Sequence, residues 1–197
     1  MKVVLFCGGL GTRLRDVSSG LPKPMVNVGP RPILWHIMKY YAHYGHKDFI
    51  LCLGYKADVI KNFFLEYHPC LSTDFTLSTG SREVHLNEGD VSDWRITCVD
   101  TGLTSNIGQR LKAVEKYVKD EEYFLANYSD VLTDLPLPDM INVFKNSGTV
   151  ASFVCVKPSQ SFSVVSLGEE DHVERIEYVR STNLIINGGY FVFKNEI

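Results

Sequence analysis

An α/β fold of Rossmann-like type, a mainly parallel sheet flanked by helices with a small antiparallel β insertion, is what this 197-residue sequence predicts. Three observations carry the expectation. Short apolar runs alternate with segments of helical period, and a glycine-rich break follows the first run. Only residues 74–100 depart from that rhythm, switching to Thr, Val and Ile alternating with polar residues.

The elements follow in order. Val3-Val4-Leu5-Phe6-Cys7, within residues 2–7, is uninterrupted and apolar, as a strand covered on both faces must be. Residues 8–30 read as a long functional loop. Pro32 suits a first helical position, and Ile33, Leu34, Ile37, Met38 and Tyr41 recur at helical spacing up to Gly45. Phe49-Ile50-Leu51-Cys52-Leu53 is a second buried strand, closed by Gly54. Val59, Ile60, Phe63 and Phe64 give one apolar face to a helix over about 57–67. Residues 74–100, with turn signals such as Glu88-Gly89-Asp90, predict short antiparallel strands. A helix over about 106–118 leads into the strand Tyr123-Phe124-Leu125-Ala126. A further βα unit runs through Val150-Ala151-Ser152-Phe153-Val154-Cys155, and strand signals dominate to the end. The order βαβα, then βαβ, implies right-handed crossovers and parallel pairing. No repeat, low-complexity tract or linker interrupts residues 1–197, so a single domain is expected.

Composition narrows the function classes. Hydrophobic content of 45% with 22% charged residues is ordinary for a globular protein. A formal charge of −3 leaves no basic footprint for nucleic acid. Five scattered cysteines, never in a C-x-x-C pair, argue against a disulfide framework or a zinc knuckle and fit a reducing cytoplasm. No apolar run approaches the ~20 residues of a spanning helix, so no membrane partner is expected. The six histidines show no metal spacing, and His36 reads as a packed residue of an apolar helix.

The chemistry concentrates at the first break. Gly8-Gly9-Leu10-Gly11 lets the backbone turn sharply and turns bare N–H groups toward an anion, while Thr12, Arg13 and Lys23 add a hydroxyl and two cations. Lys23 stands between Pro22 and Pro24, which restrict its backbone. Such a loop after a first strand suits a nucleoside triphosphate at the mouth of a parallel sheet. It is neither common phosphate loop: the third glycine of G-x-G-x-x-G is missing, which also argues against an oxidoreductase, and no G-K-[S/T] occurs. Asp130, after the strand ending near Tyr128, reads on its own either as a turn residue or as a metal ligand on the same rim.

Gly8-Gly9-Leu10-Gly11-Thr12-Arg13-Leu14 followed by Pro22-Lys23-Pro24-Met25-Val26 resembles the signature of the sugar-phosphate nucleotidyltransferases, or nucleotide-sugar pyrophosphorylases. The likeness extends through Pro32 to Lys39, Asp48-Phe49-Ile50, Gly54-Tyr55-Lys56, Val99-Asp100-Thr101-Gly102, Gly108-Gln109-Arg110-Leu111 and Ile186 to Val192. Its middle segments are most similar to the cytidylyl-transferring branch. The resemblance implies transfer of a nucleotide from an NTP, CTP first, to a sugar 1-phosphate, glucose 1-phosphate first, with pyrophosphate released. It also implies magnesium (Mg2+) as cofactor and a homo-oligomer.

Site residues follow from the same likeness. Arg13, Lys23 and Asp130 are the catalytic set, with Asp130 the metal ligand. The nucleotide would meet Phe6, Cys7, Gly8, Gly9, Leu10, Gly11, Thr12, Arg13, Lys23, Ser105, Arg110 and Ser129. The sugar would meet Asn187, Gly188, Gly189 and Arg180; Asn-Gly-Gly alone would read as a hairpin turn. The chain departs from the family pattern in three places. Ser129 stands where glycine is usual, and Ile176-Glu177-Tyr178-Val179-Arg180 lacks the lysine of a Glu-Lys-Pro segment. The sequence also ends before the family's second metal-binding aspartate, implying a domain without its C-terminal portion. A catalytically impaired nucleotide- or sugar-phosphate-binding module of the same fold is the alternative expectation.

Overall fold

A computed structural model describes residues 1–9, 20–71, 74–86, 91 and 93–197. The chain runs β1 (Val3–Phe6), β2 (Asn27–Val28), β3 (Arg31–Pro32), α1 (Ile33–His43), β4 (Asp48–Leu53) and α2 (Ala57–Leu65). After β5 (Phe75–Ser78), β6 (Glu83–Leu86) and β7 (Arg95–Asp100) come α3 (Ile107–Val118), β8 (Tyr123–Asn127) and α4 (Leu137–Ser147). The last strands are β9 (Ala151–Val156), β10 (Ser163–Leu167), β11 (Val173–Tyr178) and β12 (Ile186–Lys194).

One six-stranded sheet in the order β7-β4-β1-β8-β12-β9 organises the molecule. The first four strands are parallel, and β12 runs antiparallel to both β8 and β9. Side chains of a strand alternate between faces. Val3, Leu5 and Cys7 therefore join the core under α1, α2 and α4, while Val4 and Phe6 pack with Val114 and Val118 of α3. This sorting explains why β1 and β4 read as unbroken apolar runs: both faces are covered. Each fully buried Val, Leu or Phe contributes on the order of 1.5–3 kcal/mol.

Segment 95–100 differs from the antiparallel expectation. It pairs in parallel with β4, Asp48 opposite Arg95 through Leu53 opposite Asp100. As the edge strand it is only partly buried, and partial burial produces the same alternation that a hairpin would. The antiparallel insertion is instead the separate β5–β6 hairpin, joined elsewhere by the β10–β11 pair. No helix among the described residues is long and apolar enough to cross a membrane.

Parallel strands bring their carboxyl ends to one rim. The turns after β1, β4, β7 and β8 therefore meet there, with the amino terminus of α3 beside them.

Candidate active site

Lys23 opens a one-turn 3-10 helix, Lys23–Met25, entered through the extended Pro22. Pro22, Pro24 and Met25 are buried, so the segment is anchored on both sides of the lysine's own backbone. Its Nζ donates to Oδ2 of Asp130, closing an ion pair across the rim. Both side chains keep an open flank, at 33% and 22% exposure, so solvent or a ligand reaches the pair.

Asp130 is aimed by the turn before it. Asn127, the last residue of β8, accepts the Ser129 N–H on its side-chain Oδ1 at 2.6 Å. Ser129 is fully buried with φ of +64°, in the left-handed region. The Cys7 thiol donates to Ser129 Oγ at 3.3 Å, tying the end of β1 to the end of β8. Burial pushes the Cys7 thiol far above its ordinary range, and it stays protonated as a donor.

The other side of the rim is built around Arg110. Lying in the first turn of α3, it is only 3% exposed. Nη1 donates to Thr101 Oγ1 at 2.6 Å and to the Leu53 carbonyl at 3.3 Å, and Nη2 donates to the Gly8 carbonyl at 3.0 Å. One guanidinium thus joins the ends of β1, β4 and β7. A Cβ on Gly8 would overlap that guanidinium, and one on Gly54 would lie 2.7 Å from the Gly102 carbonyl and 2.8 Å from that of Gly8. Gly9, by contrast, is exposed with nothing within 4 Å of an added Cβ. Ser105 donates to the Thr101 carbonyl at 2.5 Å, just before the Asn106–Gln109 capping box that starts α3.

Arg110 is a cation at the positive end of a helix dipole, an unfavourable place that carbonyl oxygens must offset. Its partners among the described residues are two carbonyls and one hydroxyl, with no carboxylate.

Asn187 and Gly189 form a second folded-back turn beside the first. The Gly189 N–H donates to Asn187 Oδ1 at 2.7 Å, Asn187 Nδ2 donates to the Tyr128 hydroxyl at 3.1 Å, and Tyr128 N–H donates to the Gly189 carbonyl at 3.1 Å. Gly189 has φ of +78° and lies against the Tyr128 ring, where a Cβ would come within 3.1 Å. The Asn-Gly-Gly stretch lies within β12 at a register shift, not in a hairpin turn. Arg180 is exposed and donates from Nε and Nη2 to the Ser159 carbonyl.

The structure brings Lys23, Asp130, Ser129 and Cys7 together on one side, and Gly8, Arg110 and Ser105 on the other. Phe6 and Cys7 point into opposite core layers, so only their backbone and the glycines after them can face a ligand. Leu10, Gly11, Thr12 and Arg13 lie outside the described residues. Sequence reasoning passed over Asn127 and Thr101. Gly54 and Gly102, each closing a strand, were the signal for crowding at Arg110; nothing in the pattern marked Asn127.

Among the described residues no three His, Cys, Asp or Glu side chains converge as a metal cage. Asp130, paired with Lys23, offers a hard oxygen donor on the rim. That donor set fits magnesium, which keeps several waters and is commonly held by one or two carboxylates plus substrate phosphates.

A nucleotidyl transferase family model matches residues 2–197. The chain is 40% identical over its full length to a glucose-1-phosphate cytidylyltransferase of Salmonella typhimurium, covering 76% of that protein. It is 36% identical, again over 100% of its length and 76% of the relative's, to a probable glucose-1-phosphate cytidylyltransferase of Bacillus subtilis. Among solved structures, HddC from Yersinia pseudotuberculosis complexed with GMP-PN shares the fold at TM-score 0.65 and 23% identity, covering 99% of this chain and 77% of that one.

Proposed function

The chain belongs to the nucleotidyl transferase family, and within it we propose that it joins glucose 1-phosphate to CTP, giving CDP-glucose and pyrophosphate. The observation that carries the reading is the meeting of Lys23 and Asp130, 107 residues apart in sequence, on the carboxyl rim of a parallel sheet. The 40% identity to a glucose-1-phosphate cytidylyltransferase supports the choice of base and sugar.

In this reaction a phosphate oxygen of the sugar 1-phosphate attacks the α-phosphorus of the NTP. The bond from that phosphorus to the oxygen bridging toward the β-phosphate breaks, and pyrophosphate leaves. Both reactants are anions, so positioning and neutralisation make up most of the catalysis. Lys23, with Arg13 from the glycine loop, supplies the cations at the approaching phosphates. Gly8, Gly9 and Gly11 present backbone N–H groups to the triphosphate, with Leu10 and Thr12 between and after them. Arg110 and Ser105 stand at the base of the nucleotide. Asn187, Gly188 and Gly189 face the sugar, and Arg180 is the cation nearest in sequence for its phosphate. Asp130 would hold magnesium, which when bound draws charge from the phosphate oxygens. We place the protein as a homo-oligomer in a reducing cytoplasm, on the strength of five free cysteines and the family likeness.

A binding module without turnover is favoured by one feature, the stretch Ile176–Arg180. Val179 is buried there, Glu177 pairs with Arg175, and the stretch carries no lysine where the family pattern has one. A nucleotide panel separates the readings: pyrophosphate release is measured with each NTP, glucose 1-phosphate and Mg2+. The proposal expects turnover, fastest with CTP. Nucleotide binding without pyrophosphate release from any NTP would leave a module.

A further inference from the structure

The position of Asp130 is decided by the backbone one residue earlier, at Ser129. Leaving β8, the chain must reverse at Ser129 so that the next carboxylate faces Lys23. It does so in the left-handed region, φ +64°, which L-residues with a Cβ rarely adopt. Such a conformation persists only when its surroundings impose it. Two side chains do so here. Asn127 Oδ1 accepts the Ser129 N–H at 2.6 Å, and the Cys7 thiol donates to Ser129 Oγ at 3.3 Å.

Asn127 is the more telling of the two. It is wholly buried in the central strand of the site, paired with Leu5 on one side and Tyr190 on the other. Its Nδ2 lies toward the hydroxyls of Tyr41 and Tyr190, and its Oδ1 accepts the Ser129 N–H. A buried amide persists where its polar ends find partners, and the partner taken by Oδ1 is the backbone of the turn that presents Asp130.

We propose that Asn127 is a positioning residue for nucleotidyl transfer, holding the Ser129 turn so that Asp130 meets Lys23 and the magnesium that accompanies the NTP. The inference rests on the reading of the rim given under the proposed function. Cys7 acts in the same sense from β1, joining the strand that leads into the glycine loop to the turn that presents the carboxylate. Misplacing such a group by an ångström can cost on the order of a hundredfold in rate.

Valine and threonine at 127 share a shape and differ in one hydroxyl, which in threonine can accept an N–H two residues on. Two readouts are compared in the full chain: kcat and KM for CTP, and Mn2+ affinity in the presence of CTP, followed by electron paramagnetic resonance of the free ion. Asn127→Val is expected to lower kcat about 10- to 100-fold with KM for CTP moved less than about threefold, and to weaken Mn2+ binding about tenfold. Asn127→Thr is expected to recover most of both losses at the same melting temperature. Equal kcat in the two variants, or a valine effect confined to melting temperature, would overturn the proposal. Wild-type protein with CTP that binds Mn2+ no better than CTP alone would also overturn it. Wild-type protein that shows the Mn2+ pattern without transferring nucleotide would refute the proposed function and leave the positioning role standing. Should the valine variant not fold, Cys7→Ser and Cys7→Ala pose the same question. Serine keeps a donor to Ser129 and is expected to exceed alanine about fivefold in kcat; equality would count against the proposal.

Discussion

At the ends of β1, β4 and β7 the rim is made of backbone. Gly8, Gly54 and Gly102 close in around Arg110, whose donors all go to carbonyls and one threonine hydroxyl. At the ends of β8 and β12 it is made of side chains. Asn127 and Asn187 each fold back on an N–H two residues ahead, and Tyr128 links the two turns. The first half has no room for a Cβ at Gly8 or Gly54. The second places polar and charged groups, Asp130 among them, on short turns that those side chains fix. A half made of backbone fits a ligand by shape and by fixed dipoles, as a nucleotide needs. A half made of side chains sets charge at a point, as the reacting phosphorus needs.

This contrast predicts a gradient of mutational effects. The largest belongs to Gly54→Val. Its Cβ would meet two carbonyls at under 3 Å, and backbone cannot give way as a side chain can. Stability is expected to fall by about 3 kcal/mol in chemical denaturation, with CTP binding lost by calorimetry. A folded variant with normal CTP affinity would break the comparison.

Next comes Lys23→Ala in the side-chain half. Removing a cation that acts on developing charge typically costs ~10²–10³ in rate. The loss is expected in kcat, read by pyrophosphate release at saturating substrate, with the melting temperature little changed. Arg110→Met should act the other way round. It takes from the Gly8 carbonyl one of its two donors, the other being the Tyr55 N–H, and removes a positive charge from the half of the rim proposed to take the nucleotide, so KM for CTP is expected to rise about tenfold and stability to drop by about 2 kcal/mol. A loss in kcat alone would place Arg110 with the chemistry and blur the division. Arg180→Ala is expected to do least. Its guanidinium is exposed and shared with the Ser159 carbonyl, so KM for glucose 1-phosphate should rise only about threefold.

The backbone half was legible in the sequence because its cause is local. Glycines after apolar runs announce strand ends, and Gly8, Gly54 and Gly102 each stood in that place. Arg110 was legible as a site residue only through family likeness; its amphipathic helix allowed a surface position, whereas it is buried. In the side-chain half Lys23 stood out as a pinned cation, whereas Asp130 read equally as a turn residue until the family likeness singled it out. Asn127 was not, because its role depends on a left-handed turn two residues on, and no periodicity reports φ. The same limit explains β7. Alternation records how much of a strand is covered, not the direction of its neighbour, so a parallel edge strand read as antiparallel.

The two halves of one rim are proposed to bring CTP and a sugar phosphate together for transfer at the α-phosphorus. Labelling that phosphorus in CTP and following the label with glucose 1-phosphate and Mg2+ decides the matter. The label is expected to pass into CDP-glucose, and Asp130→Asn to abolish the passage while CTP still binds. Label that stays in CTP despite measurable CTP binding by the wild-type chain would contradict it.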